Sequence, residues 1–377
     1  MTQPKNFGYD DDAAALKTQA EKFFTDRLPV DQLHALVAQN PTPDRAPEVV
    51  WKPEIWREMT ELGWSILTVP EAHGGLGLPL VAVAGLIEAQ GKSACPSPLL
   101  ETLNSGLVLS HCSEPNVGFE AILAGKAVSL AFSDQHGSCG PSKTLVSVTD
   151  GALSGQAFFV QDAAKADAYL VAARSDTGVA WYWVDAKAAG LSCDHNAIID
   201  LTRDQATLTF NNVEAVCVGA DAEAAFAAAE PAILALLAAD ITGAGEWLLQ
   251  TTVEYVSVRK QFDHALGFFQ AVKHPLVNVM SQIDETKSLA YFAACAYDSG
   301  EDRAAQAGHM AKASASVTAD FSASRAVQLH GGIGFTWEAY VHLFFKRQVH
   351  SKALYGDAIW HRSKLADIVL GPVAAAQ

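Results

Sequence analysis

The chain has 377 residues, with 26 Lys plus Arg against 42 Asp plus Glu, a formal net charge of −16 at pH 7. Half the residues are hydrophobic and 18% are charged, so the chain can bury a large core and is not disordered, and its length suggests two or three domains. So acidic a surface argues against general nucleic-acid binding and against docking on anionic lipid.

The N-terminus, MTQPKNFGYDDDAAAL, is acidic and polar. It suits neither a secretory signal nor an Arg-rich transit peptide. No uninterrupted apolar run reaches the ~18–20 residues of a membrane-spanning helix. The expected setting is the cytoplasm or another reducing compartment. The six cysteines form no CxxC pair and fit no zinc or iron–sulfur spacing. They are expected to be buried free thiols, and no metal site is expected.

Through the first ~110 residues the apolar spacing is helical. Pro53 stands where the first residue of a helix belongs, and an amphipathic stretch runs from it to Gly63. Gly74, Gly75 and Gly77 then break the pattern in a loop over Val69–Pro79. From about Lys126 the period becomes that of short strands, rich in β-branched and aromatic residues. Turn signals such as Asp150–Gly151 separate them. An unbroken block of strands predicts an antiparallel barrel or sandwich rather than a doubly wound sheet. After ~220 the chain is helical again. Ala222–Glu254 is rich in Ala and Leu and predicts a buried helix, with Asp240 and Glu246 arguing against a membrane span. The expected fold class is α+β: a helical domain over 1–117, a β barrel or sandwich over 118–220, and a helical bundle over 221–377.

Three segments carry chemistry. They are ELGWSILTVPEAHGGLGLP at Glu61–Pro79, VEYVSVRKQFDHALGFFQAVKHPLVNV at Val253–Val279, and AVQLHGGIGFTWEAYVHLFFKR at Ala326–Arg347. Arg259 is a bidentate donor suited to a phosphate. Gln261 and Gln270 can bond a ribose or a heterocycle edge, and Phe262 offers a flat apolar face. In this order, around a central β block, the segments resemble the acyl-CoA dehydrogenase family over nearly the whole chain.

The resemblance implies FAD as cofactor, an acyl-CoA as substrate and electron-transfer flavoprotein as electron acceptor. It implies a place in fatty-acid or steroid side-chain degradation. It assigns Arg259, Gln261, Phe262 and Gln270 to the adenine-nucleotide half of an FAD held by a neighbouring subunit. A homo- or hetero-oligomer, dimer or tetramer, is therefore expected. Gln328, Gly331 and Gly332 match the family's QxxGG, whose glycines allow close backbone approach to the diphosphate. Ser133 stands where the family's flavin-contacting loop has a hydroxyl donor, although the acid and proline of that loop are absent. The family's reaction needs a carboxylate base. Near the C-terminus Tyr355 is retained, but Gly356 replaces the usual glutamate and Asp357 follows. The family's alternative base position falls at Ile233. Asp240 shares a helix face with it in an apolar setting that raises a carboxyl pKa, and is the candidate base of a chain active by itself; the alternatives are an Asp that bonds neighbouring backbone or a partner helix, and a base donated by a different subunit. Asp357 and Glu338 are further acids, the latter expected to support its loop. A second possibility is a non-catalytic partner that completes the FAD site of a heteromeric enzyme.

Overall fold

The computed structural model describes residues 4–38 and 50–371. Six helices come first: α1 (Asp11–Arg27), α2 (Val30–Val37), α3 (Pro53–Glu61), α4 (Leu80–Ser93), α5 (Leu99–Leu109) and α6 (Asn116–Leu123). Eight strands follow: β1 (Val128–Ala131), β2 (Ser147–Thr149), β3 (Ala152–Gln161), β4 (Ala168–Ser175), β5 (Gly178–Asp185), β6 (Leu191–His195), β7 (Gln205–Glu214) and β8 (Val216–Gly219). The bundle consists of α7 (Ala222–Val258), α8 (Gln270–Asp298), α9 (Ala304–His330), α10 (Val341–Ser351) and α11 (Ala358–Leu370).

Local chemistry sets several of these limits. Pro53 opens α3, and Gly63, at φ 77°, ends its turn. Asp150 and Gly151 both take positive φ, as a type I′ turn requires, and join β2 to β3 as a hairpin. Asp221 caps α7 by accepting the Ala224 N–H. The expected boundary after residue 117 falls inside α6, because Pro115 starts an apolar helical turn there.

The strands form one open sheet in the order β6–β7–β3–β2–β4–β5–β8, with β1 beside β4. It is not a closed barrel. Nor is it wholly antiparallel: β1 and β2 both run parallel to β4. Only neighbours joined by a tight turn are forced antiparallel, and long connections separate β4 from both of these strands. Along β4, Ala168, Leu170 and Ala172 pack against the helices, whereas Tyr169, Val171 and Ala173 face a second core within the folded sheet. The strand is buried on both faces, so its sequence is continuously apolar rather than alternating.

α7 lies at the centre of the bundle and is buried along most of its length. By length and composition it could cross a bilayer, but 78% of its most apolar window is inside the protein. It meets α4 backbone to backbone. A Cβ on Gly243 would lie 1.9 Å from the Glu88 carbonyl oxygen, and one on Gly91 would lie 2.1 Å from that of Asp240. Gly243→Ala should therefore force the two helices apart. A loss of roughly 1–3 kcal/mol is expected from denaturant unfolding, with the sign of overpacking rather than of a cavity.

Candidate active site

The end of β1, the loop after it, β3 and the end of α10 enclose a cavity of about 370 Å³. Ser133, Cys139, Phe159, Gln161, His350 and Tyr355 are among its walls. Asp134 shapes the loop, its Oδ1 accepting the N–H groups of His136 at 2.9 Å and Ser138 at 3.0 Å. Ser133 is in the cavity wall, but its hydroxyl donates to the Ser138 carbonyl at 2.7 Å. A register shift in β3 between Ala157 and Val160 puts Phe159 at φ 56° and turns its ring out, 40% exposed.

The hydrogen bonds fix the state of the cavity floor. Gln161 donates its Nε2 to the Phe159 carbonyl at 2.8 Å, which leaves its Oε1 as an acceptor. His350 Nε2 lies 3.0 Å from that oxygen and must donate to it. Burial, outweighing Asp200, pushes the imidazole down to about 4, so it is neutral with its proton on Nε2.

Asp240 lies outside this cavity wall, and its expected role as a free base fails. It is 1% exposed, and both its oxygens are taken. Arg203 donates to one at 2.7 Å and Arg347 to the other at 2.5 Å. Burial alone would raise its pKa, but the two guanidinium groups prevail and hold it below the usual carboxylate range. An acid so paired is a poor proton acceptor. Asp357 caps α11, accepting the Trp360 N–H at 2.8 Å. Glu338 is exposed in its loop, where its N–H meets Thr336 Oγ1 at 3.4 Å. Gly356 sits at φ 105°, and a Cβ there would lie 2.6 Å from the Trp360 ring. Lys312, fully buried, donates to the Gly356 carbonyl at 2.8 Å and to that of Lys352 at 3.0 Å.

The remaining expected residues gather elsewhere. Arg259 follows the last residue of α7, and Gln261 and Phe262 lie in the turn after it. Gln270 opens α8 and Gln328 lies near the end of α9, both exposed. Tyr255 stacks on His330, ring centroids 4.3 Å apart, and this brings Arg259 and Gly331–Gly332 to one end of the bundle. A Cβ on either glycine would meet nothing within 4 Å. Phe226, near the other end of α7, stacks on Tyr355 of the cavity at 6.5 Å. At about 1.5 Å per residue, the helix from Phe226 to Val258 runs roughly 50 Å. Ser133 and the Arg259 group therefore lie toward opposite ends of α7.

Residues 10–114 match the acyl-CoA dehydrogenase N-terminal domain and residues 235–367 the acyl-CoA dehydrogenase C-terminal domain. The chain belongs to the acyl-CoA dehydrogenase family. One relative is acyl-CoA dehydrogenase IpdE2 of Mycobacterium tuberculosis, 32% identical over 78% of this chain and 79% of that protein. Among solved structures, a variant of the Tcur3481–Tcur3483 steroid acyl-CoA dehydrogenase matches 96% of this chain and 98% of its own at TM-score 0.83 and 26% identity. The ChsE4–ChsE5 complex of Mycobacterium tuberculosis shares the fold, at TM-score 0.84 and 22% identity over 98% of this chain and 100% of its own. The present protein is accordingly an FAD-dependent acyl-CoA dehydrogenase, or a subunit of one.

This acyl-CoA dehydrogenase keeps two further acids near the cavity that sequence reasoning missed. Glu101, 1% exposed on α5, accepts the Tyr355 hydroxyl at 3.1 Å and the Asn104 amide at 3.4 Å. Burial, aided by Asp162, pushes it up to about 7. Glu230 of α7 is half-buried, and burial pushes it up to about 7 as well. Glu230 could have been found by helix periodicity, since it is one turn before Ile233. Glu101 carried no such signal, because its partner Tyr355 is far along the chain.

Two outcomes follow. Asp240→Asn should lower stability by roughly 3–5 kcal/mol, because it leaves the buried Arg347 guanidinium without its carboxylate and Arg203 with only Asp200, at 3.8 Å. Thermal and denaturant unfolding measure this. Glu101 behaves in the opposite sense. Its folded pKa of about 7 exceeds the ordinary 4.5, so the fold favours the protonated acid. Stability from this group is highest below the unfolded value and falls as pH rises toward 7, by up to about 3 kcal/mol. Glu101→Gln should remove that fall, so that the mutant gains on the wild type between pH 5 and pH 8 in urea unfolding.

Proposed function

We propose that the working enzyme is an oligomer in which the cavity of one chain and the Arg259 end of another serve one FAD. The length of α7 carries this reading. About 50 Å of rigid helix separates the two groups within a chain, more than a single dinucleotide spans.

The residues suit the cofactor. Gly331 and Gly332 leave an open backbone surface that any side chain would fill. Arg259 is exposed and has no hydrogen bond or ion pair to its side chain among the described residues. It would hold the diphosphate, Gln261 and Gln270 would hold the sugar and base edges, and the Phe262 ring, 84% exposed, would cover an apolar face. In the cavity, Gln161, oriented by His350, and Phe159 would meet the flavin end. FAD supplies a two-electron acceptor for the hydrogen at the acyl β-carbon. The protein binds the thioester, excludes water and takes the α-proton. Electron-transfer flavoprotein is the proposed acceptor of the electrons, and a steroid-derived acyl group the proposed substrate. The latter rests on the steroid enzyme among the related structures.

A second reading has its own observation. Gly356 and Ile233 occupy both of the family's glutamate positions, which suits an assembly partner without its own turnover. Production alone, and together with a related dehydrogenase chain, separates the two. Flavin bleached anaerobically by an acyl-CoA in the single-chain oligomer refutes the second reading. Flavin gained only in the two-chain assembly refutes a homomer.

Arg259→Ala should weaken FAD retention ten- to a hundredfold, the value of a charged hydrogen bond of ~1.5–3 kcal/mol. Flavin absorbance after dialysis measures it, and the melting temperature of the apoprotein should not change.

A further inference from the structure

One carboxylate of α7 stands unused beside the cavity. Glu230 has no hydrogen bond or ion pair to its carboxyl among the described residues. The helix sets its direction. Phe226, one turn earlier, stacks on Tyr355 and lies 5.1 Å from the Phe132 ring, centroid to centroid. Phe132 and Tyr355 both line the cavity. Residues four apart share a helix face, so Glu230 stands on the cavity side of α7. The opposite wall agrees. Cys139 lines the cavity, and its thiol is pushed up to about 11 by burial and then by the negative charge of Glu230. Glu230 is not itself among the lining residues; it stands one helical turn from Phe226, and its charge reaches the Cys139 thiol. Lys364 of α11 is the cation that acts on it, and burial outweighs that attraction.

The other acids near the cavity are committed. Asp240 is held by two guanidinium groups, Asp357 caps a helix, Asp162 is paired with Lys165 at 2.6 Å, and Glu101 lies fully buried behind Tyr355. Asp134 ties its own loop together.

We propose that Glu230 is the catalytic residue that takes the α-proton of the acyl thioester in the cavity of its own chain. The assignment rests on the dehydrogenase reading above. A carboxylate oxygen receives the α-hydrogen as a proton. The electron pair of that C–H bond becomes the second bond between the α- and β-carbons. The β-hydrogen departs with its own pair to the oxidant of the established activity. A base titrating near neutral pH is about half ionised there and strong enough for this transfer. Glu230 lies about 4.5 Å along the helix axis from Ile233, a shift that a glutamate side chain can cover.

The test uses the FAD-loaded oligomer, as wild type, Glu230→Gln and Glu230→Asp. Deuterium uptake from D₂O at the α-carbon of an arylacetyl-CoA, which has no β-hydrogen to lose, reads proton transfer without turnover. Glu230→Gln should slow this exchange and flavin reduction by an acyl-CoA panel by about 10²–10⁴-fold. Glu230→Asp should retain part of both. Flavin content and melting temperature should hold, since a neutral amide suits the site. Alkylation of Cys139, followed by mass spectrometry, should speed up in Glu230→Gln as the neighbouring charge is lost. Wild-type exchange and reduction rates in Glu230→Gln would overturn the assignment and leave the dehydrogenase reading standing. A wild-type oligomer inert to every acyl-CoA would overturn both.

Discussion

The structure depends on one buried rod. α7 runs for 37 residues and is apolar on nearly every side, so it cannot rest on a surface and must be enclosed. The helices α4, α5, α8, α9 and α10 all pack on it. α4 comes closest, because Gly91 and Gly243 let backbone meet backbone. The rod also sets the distance between the two chemical regions. Its N-terminal half holds Phe226 and Glu230 beside the cavity, and its C-terminal end carries Arg259. No rearrangement of loops can bring those regions together within one chain. The proposed sharing of one FAD between chains is therefore a consequence of helix length.

The buried charges join the β-sheet to this rod. Asp240 receives Arg203 from the loop before β7 and Arg347 from α10, while Arg347 also donates to Thr202 at 2.9 Å. Burying an ion pair gives little net stability, but removing one member leaves an uncompensated charge. We read the cluster as a registering device that fixes how sheet and bundle meet. It lies close to His350, whose pKa responds to Asp200, Arg203, Arg347 and Asp240. The same docking thus holds the imidazole that orients Gln161 in the cavity.

Much of this was legible in the residues. The change of period near Lys126, the Asp150–Gly151 turn and the Ala/Leu-rich stretch after Ala222 led to helices, strands and a buried helix, and each of these is present. Strand direction was less legible. Local turns dictate antiparallel neighbours, but the pairing of β1 with β4 is decided by the return path of a long connection. The partners of Asp240 were hidden for a related reason. The sequence around Asp240 is apolar, which implies a desolvated acid with a raised pKa. Arg203 and Arg347 reverse that sign, and they stand in distant parts of the sequence. Glu230 was within reach, because its spacing from Phe226 and Ile233 is a matter of helix geometry alone.

The turn at Gly356 shows why a carboxylate from α7 is the consistent solution. The family's glutamate is not merely missing there. The backbone has a φ of 105°, which L side chains rarely adopt, and Trp360 occupies the space a Cβ would need. Lys312 then ties the turn from below through the carbonyls of Lys352 and Gly356. Burial pushes its ammonium down to about 7. The turn is thus built around glycine, and restoring a glutamate would disturb Trp360, Lys312 and α11 together. A helix suffers no such penalty. Its backbone is already fixed by packing, and a side chain projecting from it is held more closely than one on a turn. With the turn closed to an acid, Asp240 neutralised by two cations and Glu101 buried behind Tyr355, the proposed proton acceptor is the α7 carboxylate of Glu230.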